Sequence, residues 1–109
     1  MDNKILELFK TGIPYFEILR EENRQEILHN LLINGPMAVT EITELSKLSR
    51  PAVSHHLKLL RDSGLVDFTK NGNQRIYSAR IDFFIPLLEE LLEALKETVK
   101  YSKEKFGDD

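Results

Sequence analysis

The stretch SRPAVSHHLKLLRDSG, Ser49 to Gly64, carries the marks of one helix with a signal at each end. Ser49 suits the N-cap, because its hydroxyl can accept from a free backbone N–H of the first turn. Pro51 falls in that first turn, where a missing N–H costs little. Gly64 follows the last turn, where a left-handed cap is wanted. At about 100° per residue the helix has two unlike sides. Ala52, Val53, His56, Leu57, Leu59 and Leu60 share an apolar arc; Arg50, Pro51, Ser54, Lys58 and Arg61 share the other, with His55 at its edge. The second arc is cationic and contains one acid, Asp62, near the helix end. A solvated face ordinarily mixes both signs of charge, whereas a face for phosphates and base edges is biased like this one.

Leu65 to Lys70 reads as a short strand, Asn71-Gly72 as a turn signal, and Gln74 to Ala79 as a second strand. A helix followed directly by a basic-tipped hairpin is the plan of a winged helix-turn-helix. Two hairpin registers compete. A two-residue Asn71-Gly72 turn sets Phe68 opposite Arg75. A three-residue Lys70–Gly72 loop pairs Val66 with Ile76 and Asp67 with Arg75, and is preferred because it matches apolar with apolar and opposite charges. Upstream, Glu41 to Lys47 reads as a short helix capped by Thr40, with Ile42, Leu45 and Leu48 inward, joined to the central helix by a three- or four-residue turn. Glu22 to Ile33 is amphipathic, with Ile27, Leu28, Leu31 and Leu32 on its core side, and Asn34-Gly35-Pro36 ends it.

Residues 2 to about 20 are helical in pattern, interrupted by Gly12 and Pro14; two short helices or one kinked helix both fit. Asp82 to about Lys105 is the longest helix, with Asp82 as its N-cap. Phe84, Leu88, Leu91, Leu95 and Val99 form a stripe, widened by Leu87 and Leu92, opposite Glu89, Glu90, Glu93 and Glu97. Together with the apolar N-terminal segment, this is more hydrophobic surface than one small domain covers. A two-fold homodimer through the first and last helices is therefore expected, with Ile5, Leu8, Phe9, Phe84, Leu88, Leu91, Leu95 and Val99 at the interface.

The chain has 109 residues, 41% hydrophobic and 30% charged, which suits one globular domain with a modest core. It has no cysteine, so it has no disulfide, thiolate metal site or thiol redox switch. No membrane span and no signal peptide is expected, and the cytoplasm follows as the default location. The net charge of −3 argues at first against a nucleic-acid partner. Its distribution reverses that. Lys47 to Arg80 holds seven bases and two acids, while the remainder holds eight bases and sixteen acids. A basic block in an acidic molecule orients the protein toward DNA and limits nonspecific adhesion.

The words RPAVSHHLKLLRDSGLV and KNGNQRIYS resemble the ArsR/SmtB family of bacterial repressors, and the resemblance covers about Glu21 to Tyr101. It implies a mainly α fold of about five helices plus a two-stranded wing, in one DNA-binding domain over residues 1–109. Within it, residues 1–20 and 82–105 would serve dimerisation, 41–64 the helix-turn-helix and 65–79 the wing. Arg50, Ser54, His55 and Lys58, with Pro51 beside them, match positions that enter the major groove. Lys70, Asn71, Asn73 and Arg75 match a wing that reaches the adjacent minor groove. Lys47, Arg61, Lys70 and Arg75 are assigned to phosphates. Two copies about one DNA turn apart would read an inverted-repeat operator in double-stranded DNA.

The chain departs from the family at the inducer. Many members sense metals through cysteines near the third helix, or through Asp/His and His/Glu pairs on the last. Here the third-helix region reads MAVTEITEL, and no histidine accompanies Asp82 and the glutamates of the last helix. Oxygen-only sites hold zinc and its neighbours poorly. No metal or other cofactor is expected, and the signal is left to a protein or a small apolar ligand held where first and last helices meet. His56, within the apolar arc, reads as a packed histidine, and His29 as a surface one. No phosphate loop, nucleophile elbow or catalytic grouping occurs, so no enzyme is expected. The rival reading keeps the winged fold as a protein-interaction module that does not bind DNA.

Overall fold

In the computed structural model, which describes residues 3–107, the apolar arc of the central helix is the floor of the main core. The elements are α1 (Lys4–Ile18), α2 (Glu22–Asn34), β1 (Met37–Ala38), α3 (Val39–Glu44), α4 (Arg50–Asp62), β2 (Val66–Asn71), β3 (Gln74–Ala79) and α5 (Phe84–Phe106). Residues 14–81 form one compact unit; residues 3–13 form another with residues 82–107.

In the first unit Val53, Leu57 and Leu60 of α4 are wholly buried. They pack with Ile27, Leu28 and Leu31 of α2, Ile42 of α3, and Met37, Leu65, Val66 and Tyr77. Ser49 caps α4 as expected, its Oγ accepting from Ala52 N at 3.4 Å. Gly64 takes φ +87°, the left-handed conformation that ends the helix. The Leu65 N–H then returns to Leu60 O, and the chain enters β2.

The sheet has three antiparallel strands in the order β1-β3-β2, so the expected two-stranded wing gains a third strand, β1, at its base. Both expected hairpin registers are wrong. Val66 pairs with Ala79, Phe68 with Tyr77, Lys70 with Arg75 and Asn71 with Gln74, leaving Gly72-Asn73 as the turn. Gly72, at φ +64°, supplies the positive φ at the first turn position, and among the described residues no non-glycine takes one. The preferred register differs by three residues, an odd shift that would exchange the sheet faces. It would turn the buried Tyr77 outward; packing of Tyr77 against Phe68, with ring centroids 5.2 Å apart, accompanies the observed register instead.

Other boundaries also shift. α3 opens at Val39, not after Thr40, because the Glu41 carboxylate reaches back to accept from Ala38 N at 2.9 Å. It ends at Glu44, which leaves Leu45 56% exposed, while Leu48 packs on the core as expected. Leu32 of α2 is also exposed. α1 is one helix that runs through Gly12 and Pro14. Asp82 does not cap α5; Phe83 stands at that position, and Pro86 is the third helical residue, where its missing N–H is harmless.

In the second unit Leu8 and Gly12 of α1 and Ala94 of α5 are buried, and Leu87 lies against Gly12. Of the eight expected dimer residues, Leu8 is therefore spent inside the protomer, and Ile5, Phe84, Leu91 and Leu95 are half-buried. Phe9, Leu88 and Val99 are exposed, as are Leu6, Ile13, Ile85 and Leu92.

Candidate nucleic-acid interface

Helix α4 is held by its buried arc, and that fixes what its other side presents. Arg50, Pro51, Ser54, His55, Lys58 and Arg61 are all exposed. A cleft of about 470 Å³ lies between α4 and the wing. It is lined by Arg50, Ser54, Lys58, Arg61 and Asp62 from the helix, Asn73, Arg75 and Tyr77 from the hairpin, and Val39 from α3. The structure thus brings together four of the helix residues and two of the wing residues expected at the site. Lys47, Pro51, His55, Lys70 and Asn71 are exposed outside the cleft lining.

The cations of this face differ in their partners. Lys58 Nζ donates to Asp62 Oδ2 at 2.8 Å, a solvent-exposed pair one helical turn apart. Arg61 Nε donates to Asp67 Oδ1 at 3.1 Å, so the expected Asp67–Arg75 pairing is replaced by one between helix and wing. Among the described residues, Lys47, Arg50, Lys70 and Arg75 have no carboxylate within ion-pair distance. Lys70 and Arg75 stand directly opposite each other across β2 and β3, a like-charge arrangement that a sheet tolerates at a cost. An anion placed over them removes that cost.

Asp67 is set from two sides. Its Oδ1 accepts from the Phe68 backbone N–H at 2.8 Å and from Arg61, and these bonds hold its carboxyl below the usual carboxylate range. Phe68 was not among the expected site residues. The guanidinium carbons of Arg61 and Arg75 lie 4.2 Å and 4.6 Å from its ring centroid. The sequence signal for this contact is the diagonal spacing of Phe68 and Arg75, which is visible only once the register is known.

His56 is a packed histidine, as expected. Its Nδ1 lies 3.2 Å from Arg24 Nη1, and since a guanidinium only donates, the ring nitrogen accepts. Glu21 Oε2 is 3.8 Å away. Burial opposes the Glu21 charge, but bonds from Arg24 N and Asn23 Nδ2, with the nearby Arg24 guanidinium, outweigh it and lower its pKa. Arg24 Nε also donates to Ile18 O at 2.7 Å, which ties α2 to the end of α1. His29 is exposed. His55 and His56 have ring centroids 6.0 Å apart and do not form a dyad.

The family model described as bacterial regulatory protein, arsR family, matches residues 21–67, from the start of α2 into β2. The arsenical resistance operon repressor of Staphylococcus xylosus is 37% identical over 75 residues, covering 69% of this chain and 71% of that protein. The chain belongs to the arsR family. An uncharacterized HTH-type transcriptional regulator of Methanocaldococcus jannaschii is 32% identical over 89 residues, 79% of this chain and 100% of that protein. The solved structure of an ArsR-like transcriptional regulator from Rhodococcus sp. RHA1 shares the fold, with a TM-score of 0.74 and 24% identity over 89% of this chain and 93% of that one.

As an arsR-family protein with a winged helix-turn-helix, the chain is a DNA-binding transcriptional regulator, and its family is regulatory and not enzymatic. Among the described residues no cluster of three or more His, Cys, Asp or Glu side chains is placed to hold a metal ion. No helix among them is long and apolar enough to cross a membrane.

Proposed function

We propose that this arsR-family regulator is a cytoplasmic homodimeric repressor that reads an inverted-repeat operator with α4 and the wing of each copy. The observation that carries this reading is the cleft shared by α4 and the hairpin, lined by Arg50 and Arg75, which have no carboxylate partner among the described residues. Lys47, Arg61, Lys70 and Arg75 contact phosphates and supply affinity. Arg50, Ser54, His55 and Lys58 read base edges, with Pro51 starting the helix close to the groove; Asn71 and Asn73 follow the wing into the minor groove. The single domain of residues 1–109 divides its work accordingly: residues 41–64 and 65–79 face DNA, and 1–20 and 82–105 face the second copy.

The dimer reading is supported by what α5 leaves outside. Ile85, Leu88, Leu92 and Val99 are exposed at spacings of three, four and seven residues, with half-buried Leu95 between the last two. That is the heptad spacing of a helix seam. Leu6, Phe9 and Ile13 repeat the spacing on α1. For the inducer, a groove of about 340 Å³ whose lining includes Ile5, Leu6, Phe9 and Ala94, with Lys4 and Glu97, supports a small, largely apolar ligand.

Selection of bound sequences from random duplexes tests class, symmetry and target together. Recovery of an inverted repeat with half-sites about one helical turn apart is expected. Recovery of an asymmetric site, or no enrichment, overturns the dimeric reading or the DNA-reading role respectively.

A further inference from the structure

Three side chains join the recognition helix to the wing at one aromatic ring. Phe68 lies in β2, half-buried against Tyr77. Arg61 comes from the last turn of α4, and Arg75 from the neighbouring strand, one diagonal step from Phe68 in the register. Both guanidinium groups lie within 5 Å of the ring centroid, at 4.2 Å and 4.6 Å. Among the described residues Arg61 also has an anionic partner, Asp67, and Arg75 has none. Arg75 stands opposite Lys70, which repels it, so its contact with the ring is the attraction that holds it toward the helix.

We propose that Phe68 is a positioning residue for DNA binding: its ring gathers Arg61 and Arg75, from two different elements, into one pre-assembled cationic pair in the lining of the cleft. This rests on the reading that the α4–wing face meets DNA. Long arginine side chains lose rotamer freedom when they dock on a phosphate. A ring that already restrains two of them lowers that loss without touching DNA. It also couples the wing to the reader helix, so that the two approach the duplex in fixed register. A planar guanidinium suits such stacking, and an ammonium suits it less.

The test uses the full chain and one mixed-sequence DNA duplex at low salt, with the variants F68L, F68W, R75K, R61Q/R75Q and F68L/R61Q/R75Q. F68L is expected to weaken binding by about five-fold or more, the scale of the rotamer freedom that two long side chains lose on docking. The slope of log affinity on log salt should stay unchanged, since no charge is lost. F68W should restore affinity, and F68L should add nothing once both arginines are glutamine. R75K keeps the charge on an exposed side chain, so it does not depend on the ring change folding well; it too should bind several-fold more weakly. Equal loss from F68L with and without the arginines, or native affinity in R75K, overturns the positioning role. If R61Q/R75Q binds like the native chain, the DNA-facing reading of these arginines falls, and this proposal with it. If R61Q/R75Q is weakened while F68L and R75K are not, only the positioning role falls.

Discussion

Replacing Lys70 with glutamine should change stability and DNA binding in opposite directions. In the free protein Lys70 faces Arg75 directly across the hairpin, with no acid among the described residues to neutralise either. Like charges so placed destabilise a sheet, and for an exposed, solvent-screened pair the scale is roughly a few tenths of a kcal/mol. K70Q should therefore stabilise the fold by about that much, raising the unfolding midpoint by about 1–3 °C for a chain of this length. On DNA the same change removes one phosphate contact per copy. Each contact contributes about 0.9 to the slope of log affinity against log salt, so a dimer loses about 1.8. With Lys47, Arg61, Lys70 and Arg75 engaged in both copies the native slope should be about −7, falling in magnitude to about 5.4. Thermal unfolding and a salt series of duplex-binding titrations measure the two effects on one preparation. A K70Q protein that is less stable than native, or whose salt slope is unchanged, refutes the claim that this pair awaits an anion.

Leu92→Glu places charge on an apolar side chain that is 52% exposed in the protomer. It should leave the secondary structure intact and shift sedimentation from dimer to monomer; an undisturbed dimer would move the interface elsewhere. Leu57→Ala empties a site with no exposure at the centre of the main core and should cost about 3–4 kcal/mol in chemical denaturation, with DNA binding lost in step. Asp67 has its carboxyl pKa lowered in the folded state by the Phe68 N–H and Arg61. Its stabilisation is therefore complete above the ordinary carboxylate value and disappears as pH falls through the lowered one. Asp67→Asn should flatten the acid limb of a stability-against-pH curve below about pH 4 and leave its shape at neutral pH alone; an identical acid limb would show that the bonds at Asp67 carry no linked stability.

How far the fold was legible varied with the range of the interactions that set it. Both ends of α4 and the division of its two arcs follow from local chemistry: a serine cap, a first-turn proline, a glycine with positive φ, and a helical period. Local rules failed where a partner distant in sequence decides. The hairpin register depends on Tyr77 packing against Phe68 over the core, and pairing rules within the strands favoured a different match. The start of α3 depends on Glu41 reaching back to Ala38, which the local cap signal at Thr40 does not reveal. The stripe on the last helix is plain in its period, but which of its leucines face inward depends on where Gly12 of α1 sits, next to Leu87.

By itself the sequence determined the class of the molecule: the basic block from Lys47 to Arg80, the reader helix inside it and the turn-flanked strands after it are all encoded by neighbours in the chain. Only the tertiary structure decided which cations are already neutralised and which are not. Asp67 lies six residues from Arg61 and eight from Arg75, and sequence pattern favoured the second; the fold delivers it to the first and leaves Arg75 to the face of Phe68. The reason is physical. Charge and hydrophobic period are properties of residues in order, but the choice of an ion-pair partner is made by the backbone that carries both groups, and that backbone is positioned by a core neither of them enters.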